Sequence, residues 1–176
     1  FALNGYSLNI TNDYKTLEAS YKNSKFILSV SNDITKCLEA AFPKYKNKIL
    51  KTSLSVDNHN FKHKLKKNNL ITYMPRKLSK HSELVLFFLR KKLDKKWKIK
   101  SIHNLKEKKV YECLLRSKIF LSFTQFEGLG MPPIEAALAR NKIIGYTGEG
   151  GKEIWKKPIF SEIQSGNILK FVNEIL

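Results

Sequence analysis

Arginine and long apolar runs are scarce in this sequence of 176 residues. Only 4 of its 33 basic residues are arginine, although the formal net charge is +18. Arginine is the residue that pairs bidentately with phosphates and base edges, so specific nucleic-acid recognition is not expected despite the charge. No apolar run approaches the roughly 20 residues that cross a membrane, and the first ten residues lack the basic start of a secretory leader.

Cysteine and paired aspartate are also lacking. Cys37 and Cys113 are the two cysteines, and neither has a His or Cys at ligand spacing. This argues against a disulfide scaffold and a zinc site and indicates a reducing compartment, so we expect both to be apolar core residues on helices. The four aspartates are isolated, so no Asp-x-Asp metal motif exists and no metal cofactor is expected.

The charge that is present is unevenly distributed. Residues 1–66 carry a net charge of +6 and residues 67–118 one of +12, whereas residues 119–176 are neutral and hold seven of the eight glycines. We interpret the lysine excess as a solvated surface with some attraction to an anionic membrane leaflet or an acidic glycan. A hydrophobic content of 42% is enough for a folded core.

Segments with strand and helix patterns alternate along the chain. In the first part we predict a helix that ends near residue 25 with N-cap candidates at residues 11–13, a strand at 26–30, a helix from Ser31 or Asn32 to Pro43, and an extended run at 49–56. After a polar, lysine-rich stretch the predicted strands are 70–74, 97–102, 119–123 and 142–146. The predicted helices are 79–92, 107–116, 133–139 and 167–176. This alternation predicts an α/β fold with a doubly wound parallel sheet.

The segment after the predicted strand at 119–123 carries the most chemistry. Ligands of open parallel sheets bind at the carboxyl ends of the strands. Gly128 and Gly130 would let the backbone approach a ligand closely. Pro133 suits the first position of a helix whose free amides would face a phosphate.

Two glutamates flank this helix start. Glu127 precedes the helix and Glu135 falls in its first turn, so the two carboxylates would approach one ligand from different directions. A carboxylate that accepts two hydroxyls is a common grip on a ribose or hexose, but an acid near a helix start is also stabilising by itself. Paired carboxylates suit glycoside hydrolysis as well, which the phosphate-type loop disfavours.

Residues 117–153 resemble the donor domain of retaining GT-B glycosyltransferases of the glycogen-synthase-like type, glycosyltransferase family 4. Glu127 and Glu135 meet the E-x7-E pattern of that family, and residues 73–77 resemble the YMPRK motif of a bacterial subset. The resemblance covers about residues 70–176. More loosely, residues 1–69 resemble the end of the acceptor domain and the linker. It implies a Rossmann-like donor domain at 58–176, with a remnant of the N-terminal acceptor domain at 1–57.

The resemblance implies a role for each matching residue. Glu127 would contact the transferred sugar, and Glu135 the ribose hydroxyls of the nucleotide. Arg76 and a lysine would neutralise the departing diphosphate; Lys77 and Lys80 are both candidates, and Lys80 is given the catalytic role. The backbone that would meet the sugar and diphosphate comprises Gly128, Leu129, Gly130, Met131 and Pro132.

The implied activity is that of a hexosyltransferase-type enzyme, here a fragment. It would move a sugar from a nucleoside-diphosphate sugar to a glycan or lipid-linked acceptor in polysaccharide synthesis, in the cytoplasm or at the inner membrane face. Two alternatives stay open: a nucleotide-sugar-binding module without turnover, and a basic nucleic-acid-binding domain. The glycine cluster at 147–153 resembles the second glycine loop of the family but also fits a plain turn. His103 would lie either near the base or in an exposed loop.

Overall fold

The computed structural model describes residues 1–8 and 13–176, which divide into two compact units. The first unit comprises Phe1–Ser55, Phe126–Gly130 and Gly148–Ile154. The second comprises Val56–Gln125, Met131–Thr147 and Trp155–Leu176. Two loops from the C-terminal half therefore belong to the first unit, which the sequence did not predict. The interpretation of residues 1–57 as the end of an acceptor domain stays a prediction.

The first unit contains two short parallel strands. Its elements are helix α1 (Tyr14–Asn23), strand β1 (Ile27–Ser29), helix α2 (Asn32–Ala41), a 3₁₀ helix (Pro43–Lys48) and strand β2 (Ile49–Lys51). Strand β1 pairs in parallel with β2, and Ile27 lies opposite Ile49. The buried residues of its core are Ala2, Ile27, Val30, Ile34 and Leu38.

Side-chain caps begin both helices of this unit. Asp13 accepts a hydrogen bond from the Thr16 N–H at 2.8 Å, and Ser31 accepts one from the Ile34 N–H at 3.2 Å. Each bond satisfies an amide that the first helical turn leaves without a backbone partner. The other cap candidates of α1, at positions 11 and 12, lie outside the described residues.

The second unit is a five-stranded parallel sheet covered by helices. Its elements in chain order are β3 (Leu70–Tyr73), α3 (Ser79–Leu89), β4 (Lys98–Ser101), α4 (Glu107–Arg116), β5 (Ile119–Ser122), α5 (Met131–Leu138), β6 (Lys142–Gly145), β7 (Phe160–Glu162) and α6 (Ile168–Ile175). The strand order is β4-β3-β5-β6-β7, and all neighbouring strands are parallel. The predicted doubly wound α/β fold is confirmed.

Hydrophobic clusters cover both faces of this sheet. Leu121 of β5 belongs to the cluster that includes Val85 of α3 and Phe171 of α6. The preceding residue, Phe120, belongs to the cluster that includes Leu114 of α4 and Ala136 of α5. Because both faces are buried, β5 reads as a continuous apolar run in the sequence.

The two cysteines lie on helices, as predicted. Cys113 on α4 is buried in the second of these clusters, and Cys37 on α2 is half-buried in the first unit. Both thiols are free.

Polar side chains close the C-terminal ends of α4 and α5. The Lys67 ammonium donates to the carbonyls of Leu114 and Ala139. The buried Asn141 amide donates to the carbonyls of Leu114 and Ala136, both at 2.9 Å. Carbonyls in the last turn of a helix have no partner within the helix, so these bonds fix where both helices end.

The structure differs from the predicted elements at three places. Helix α5 begins at Met131 rather than at Pro133, and the run expected at 49–56 is a strand only at Ile49–Lys51. Strand β7 was not predicted, because it has three residues and only Ser161 among them is buried. Along the described residues, no helix combines the length and hydrophobicity needed to cross a bilayer.

Candidate functional site

The strand order of the second unit creates one preferred ligand position. From β3 the chain crosses to β4 on one side of the sheet, and later to β5 on the other side. Strands β3 and β5 are parallel neighbours, with Tyr73 opposite Leu121, so the segments that follow them leave from the same edge. In open α/β sheets this reversal point, at the carboxyl ends of the strands, is where ligands bind.

The basic candidates follow β3 at this edge. Arg76 and Lys77 lie in the turn between β3 and α3, and Lys80 lies in the first turn of α3; all three are exposed. The N-cap residue of α3, Leu78, gives no side-chain cap. A cation in the first turn of a helix opposes the helix dipole unless an anion is bound there. The local sequence thus presents positive charge and uncapped amides together.

Helix α5 follows β5 at the same edge. It begins at Met131, so Pro132 and Pro133 both fall in its first turn, and Pro133 is its third residue rather than its first as expected. Prolines have no N–H, so this helix start offers a phosphate fewer amides than the sequence suggested. Glu135 is the fifth helical residue and therefore lies beyond the first turn, which corrects its predicted position.

Glu135 is the half-buried carboxylate of this helix. Burial raises the pKa of Glu135, and the nearby negative charge of Glu107 on α4 raises it further. An acid held in such surroundings is stabilised by any ligand that donates hydrogen bonds to it. The helix-capping alternative for Glu135 loses its basis because the residue lies outside the first turn.

The first-unit loops hold Glu127. The Glu127 N–H donates to the Gly148 carbonyl at 2.8 Å, and the Glu127 carbonyl accepts from the Gly150 N–H at 3.1 Å. The loop Phe126–Gly130 is thereby paired with the loop Gly148–Ile154. The second glycine cluster, which the sequence left as either a site loop or a plain turn, is the segment that fixes the Glu127 backbone.

Each glycine loop contains a glycine at which a backbone atom stands where a side chain would lie. A Cβ atom at Gly128 would lie 1.7 Å from the Leu3 carbonyl oxygen, and one at Gly150 would lie 1.8 Å from the Gly128 oxygen. The backbone of Leu3 is therefore what approaches Gly128 closely, whereas the sequence analysis expected a ligand to do so. Gly130 has φ +76°, a conformation that favours glycine. Leu129 packs against the first-unit core.

Sequence reasoning missed the residues that anchor these loops. The Asn4 amide donates to the Phe126 carbonyl at 2.9 Å, and the ring centres of Tyr6 and Phe126 are 5.0 Å apart. Glu153 accepts from Lys51 Nζ at 2.8 Å and from the Asn32 N–H at 2.8 Å. The sequence offers one signal for them, the Asn4-Gly5 pair, because this dipeptide is typical of a turn.

The structure thus divides the predicted site residues between its two units. Arg76, Lys77, Lys80, Glu135, Met131 and Pro132 belong to the second unit, along β3–α3 and α5. Glu127, Gly128, Leu129 and Gly130 belong to the first. Within residues 1–8 and 13–176, no group of three or more His, Cys, Asp or Glu side chains could hold a metal ion.

Comparison with known proteins gives a class of fold. No protein-family model matches this sequence, and no curated protein matches it. Solved structures do match: the chain has the Rossmann-like α/β fold of GT-B glycosyltransferases. The expected fold is confirmed, whereas membership of family 4, the YMPRK subset and the retaining mechanism stay predictions.

Three of the similar structures are bacterial. A mutant of S. aureus TarM, in complex with Fondaparinux, alpha-GlcNAc-glycerol and UDP, is 16% identical with a TM-score of 0.65 over 92% of this chain and 38% of its own. The pneumococcal O-GlcNAc transferase GtfA, in complex with UDP and GlcNAc, is 13% identical with a TM-score of 0.62 over 96% of this chain and 42% of its own. A glycosyltransferase from Rickettsia africae ESF-5 is 15% identical with a TM-score of 0.65 over 94% of this chain and 57% of its own. The chain therefore spans between 38 and 57% of the length of these proteins.

Proposed function

We propose that this chain is the donor-binding part of a glycosyltransferase. The enzyme would take a nucleoside-diphosphate sugar and transfer the sugar, with retention of configuration, to a glycan or a lipid-linked acceptor. One observation carries the proposal: in a GT-B fold, Arg76 follows β3 and helix α5 follows β5 at the edge where the strand order reverses. A diphosphate is the ligand that suits this combination.

A departing nucleoside diphosphate accounts for the charges at this edge. Negative charge develops on the leaving phosphates as the bond to the sugar breaks, and fixed cations that meet it lower the barrier. Arg76 would supply a bidentate contact, with Lys80 or Lys77 as a second charge. An anion at the start of α3 would also remove the conflict between Lys80 and the helix dipole.

The two glutamates would act on different parts of the donor. Glu135, on α5, would accept the two ribose hydroxyls, which would favour its ionised form over the protonated form that burial favours. Glu127 would contact the transferred sugar, with its backbone held by the second glycine loop. Placing a contact residue on a fixed backbone limits the geometry that it can adopt.

UDP is the nucleotide to test first. The TarM and GtfA structures contain UDP, and the GtfA structure contains GlcNAc. These ligands favour a uridine nucleotide and a hexose donor for this chain as well. The proposal comprises the nucleotide-sugar donor and the glycan or lipid-linked acceptor, without contact to a membrane.

Transfer is proposed for the protein to which this domain belongs, since the chain spans 38 to 57% of the similar structures. In that protein residues 58–176 would form the donor domain, and residues 1–57 would form the end of the acceptor domain. The alternative of a nucleotide-sugar-binding module differs only in turnover. The enzyme is favoured if the unaltered chain releases UDP from UDP-sugars and Glu127→Gln abolishes this release but still binds UDP.

Calorimetry with UDP and GDP tests the proposal directly. We expect the unaltered chain to bind one of them, and Arg76→Ala to weaken binding by at least about tenfold, because a charge-assisted hydrogen bond contributes about 1.5–3 kcal/mol. Arg90→Ala is the matched control, because Arg90 is an exposed arginine at the opposite end of α3. If the folded chain binds neither nucleotide, the proposal is wrong.

A further inference from the structure

Phe126 combines an exposed aromatic ring with an unfavourable backbone conformation. The residue belongs to the first unit, and 50% of its surface is exposed. Its φ is +57°, in the left-handed region, which strains residues that carry a Cβ atom and bulky ones most of all. A glycine would adopt the same conformation without strain. The aromatic side chain is therefore present despite its conformational cost, a combination that points to function.

One side chain fixes the backbones of Phe126 and of its aromatic neighbour. The Asn4 amide nitrogen donates to the Phe126 carbonyl at 2.9 Å, and the Asn4 amide oxygen accepts from the Tyr6 N–H, also at 2.9 Å. The Tyr6 hydroxyl donates to the carboxylate of Asp33 on α2 at 2.8 Å. Both aromatic residues are therefore held in place before any ligand arrives.

The two rings form one aromatic surface. Their centres are 5.0 Å apart, and their planes make an angle of 38°. Tyr6 is half-buried whereas Phe126 is exposed, so the Phe126 ring is the part of this surface that a ligand can reach. The face of an aromatic ring is electron-rich. It attracts hydrogens that carry a small positive charge, and the C–H bonds on the flat side of a sugar ring present such hydrogens.

Carboxylates accompany this aromatic surface. Glu127 follows Phe126 in the chain, and Asp33 contacts the Tyr6 hydroxyl through one of its oxygens. An ionised carboxylate has two oxygens that accept hydrogen bonds, so Asp33 keeps capacity for a hydroxyl. A sugar carries C–H bonds on its faces and hydroxyls around its edge. It therefore matches an aromatic ring beside carboxylates, whereas a lipid tail offers these acceptors no donor.

We propose that the Phe126 ring, supported by Tyr6, is the surface on which a sugar ring of the acceptor glycan stacks. The inference rests on the proposed function, in which Glu127 contacts the transferred sugar and residues 1–57 end the acceptor domain. Consecutive Cα atoms are only about 3.8 Å apart, so Phe126 lies close to any sugar that Glu127 contacts. The acceptor must bring its hydroxyl to that sugar. Asn4 and Tyr6 belong to residues 1–57, which assigns the surface to the acceptor and makes the acceptor a glycan.

The test uses the methyl glycosides of β-D-glucose and of β-N-acetylglucosamine as probes. All their ring substituents are equatorial, so both faces of each ring carry C–H bonds. Each probe is titrated into the chain in the presence of UDP and followed by proton NMR, because a C–H proton above an aromatic ring shifts upfield. We expect this shift for at least one probe. Phe126→Leu should abolish the shift and weaken binding about fivefold.

Three further variants separate the ring from the loop that carries it. Phe126→Tyr keeps a ring and should retain both the shift and the affinity. Phe126→Gly removes the ring and relieves the positive φ, so it should lose the shift with the loop intact. Phe26→Leu is the matched control, because Phe26 is a phenylalanine of the same unit with a similar exposure of 53%. It should change neither measurement.

The outcomes separate this inference from the proposed function. If Phe126→Leu lowers the affinity for UDP-glucose but not for UDP or the probes, the ring meets the transferred sugar and the inference is wrong. It is also wrong if neither probe shifts with the unaltered chain, or if Phe126→Leu and Phe26→Leu act equally. UDP binding by the unaltered chain keeps the proposed function standing in these cases. If that chain binds neither UDP nor GDP, the proposed function fails and the inference fails with it.

Discussion

The two glutamates of the E-x7-E pattern lie in contrasting surroundings. Glu127 belongs to the first unit, where its backbone N–H and carbonyl are both bound by the loop Gly148–Ile154. Glu135 belongs to the second unit, on α5, where burial and the charge of Glu107 raise its pKa. The two glutamates look equivalent in the sequence, but backbone hydrogen bonds fix the position of Glu127, whereas burial and a neighbouring charge set the pKa of Glu135.

This difference separates geometric control from electrostatic control. The position of Glu127 depends on glycines that other backbone atoms approach closely, so a Cβ atom added at one of these glycines should disturb it. The behaviour of Glu135 depends on the charge around its carboxylate, so it is sensitive to pH and to neighbouring acids. Substitutions that act on one mechanism should leave the other intact.

The largest effect is expected at the loop of Glu127. Gly128→Ala would place a Cβ 1.7 Å from the Leu3 carbonyl oxygen and 2.8 Å from the Leu3 carbonyl carbon, both backbone atoms that have little freedom to move. We expect it to lower the free energy of unfolding by about 3 kcal/mol, measured by urea denaturation.

Gly166→Ala is the matched control for this variant. Gly166 has φ +87° but nothing within 4 Å of the added Cβ, so its cost should be limited to about 1 kcal/mol of backbone strain. Equal losses in the two variants would show that packing against Leu3 is not what fixes the Glu127 loop.

A smaller effect is expected where α5 ends. Asn141→Ala removes the side-chain hydrogen bonds to the carbonyls of Leu114 and Ala136 and the one that Asn141 Oδ1 accepts from the buried Ser117 hydroxyl. Each carbonyl keeps a second donor, so we expect a cost of about 2 kcal/mol of unfolding free energy for the three bonds together. Asn173→Ala, at an exposed position on α6, should change it by less than about 0.5 kcal/mol. Thermal denaturation of both variants checks this, and an unchanged Asn141→Ala protein would contradict the role given to the helix end.

Patterns that repeat along the chain were enough to predict most of the fold. The alternation of apolar strands with helices gave the parallel sheet, and Ser31 gave the start of α2, because caps and periodicity are local. Strand β7 was not predicted because it has a single buried residue and no apolar pattern. The start of α5 was misplaced because proline fits several positions of a first turn, and the sequence alone did not choose among them.

The candidate site was predictable only where its residues are close in sequence. The E-x7-E spacing and Arg76 stand in short motifs. The contact of Gly128 with Leu3 and the anchoring of its loop by Asn4 join segments that are distant in the chain. The effect of Glu107 on Glu135 depends on how two helices pack. Such contacts follow from tertiary packing, which one sequence without its fold does not specify.

The smallest effect should come from altering the electrostatic control alone. A carboxyl with a raised pKa takes up its proton at a higher pH than an ordinary glutamate, so UDP affinity that needs ionised Glu135 is lost sooner as the pH falls. Glu107→Gln removes the charge that helps to raise this pKa, so the loss should move to lower pH. As the pH rises, the affinities of Glu107→Gln and the unaltered chain should converge, because the ionised fraction of Glu135 increases in both proteins. Calorimetry at a series of pH values measures the difference. The titration of UDP itself is common to both proteins and cancels.

Two further variants are controls for this prediction. Glu83→Gln, which alters an exposed acid on α3, should leave the pH profile of UDP affinity unchanged. In a Glu135→Gln background, Glu107→Gln should have no effect on the profile. A shift that persists in that background would mean that Glu107 acts on the nucleotide directly and not through Glu135.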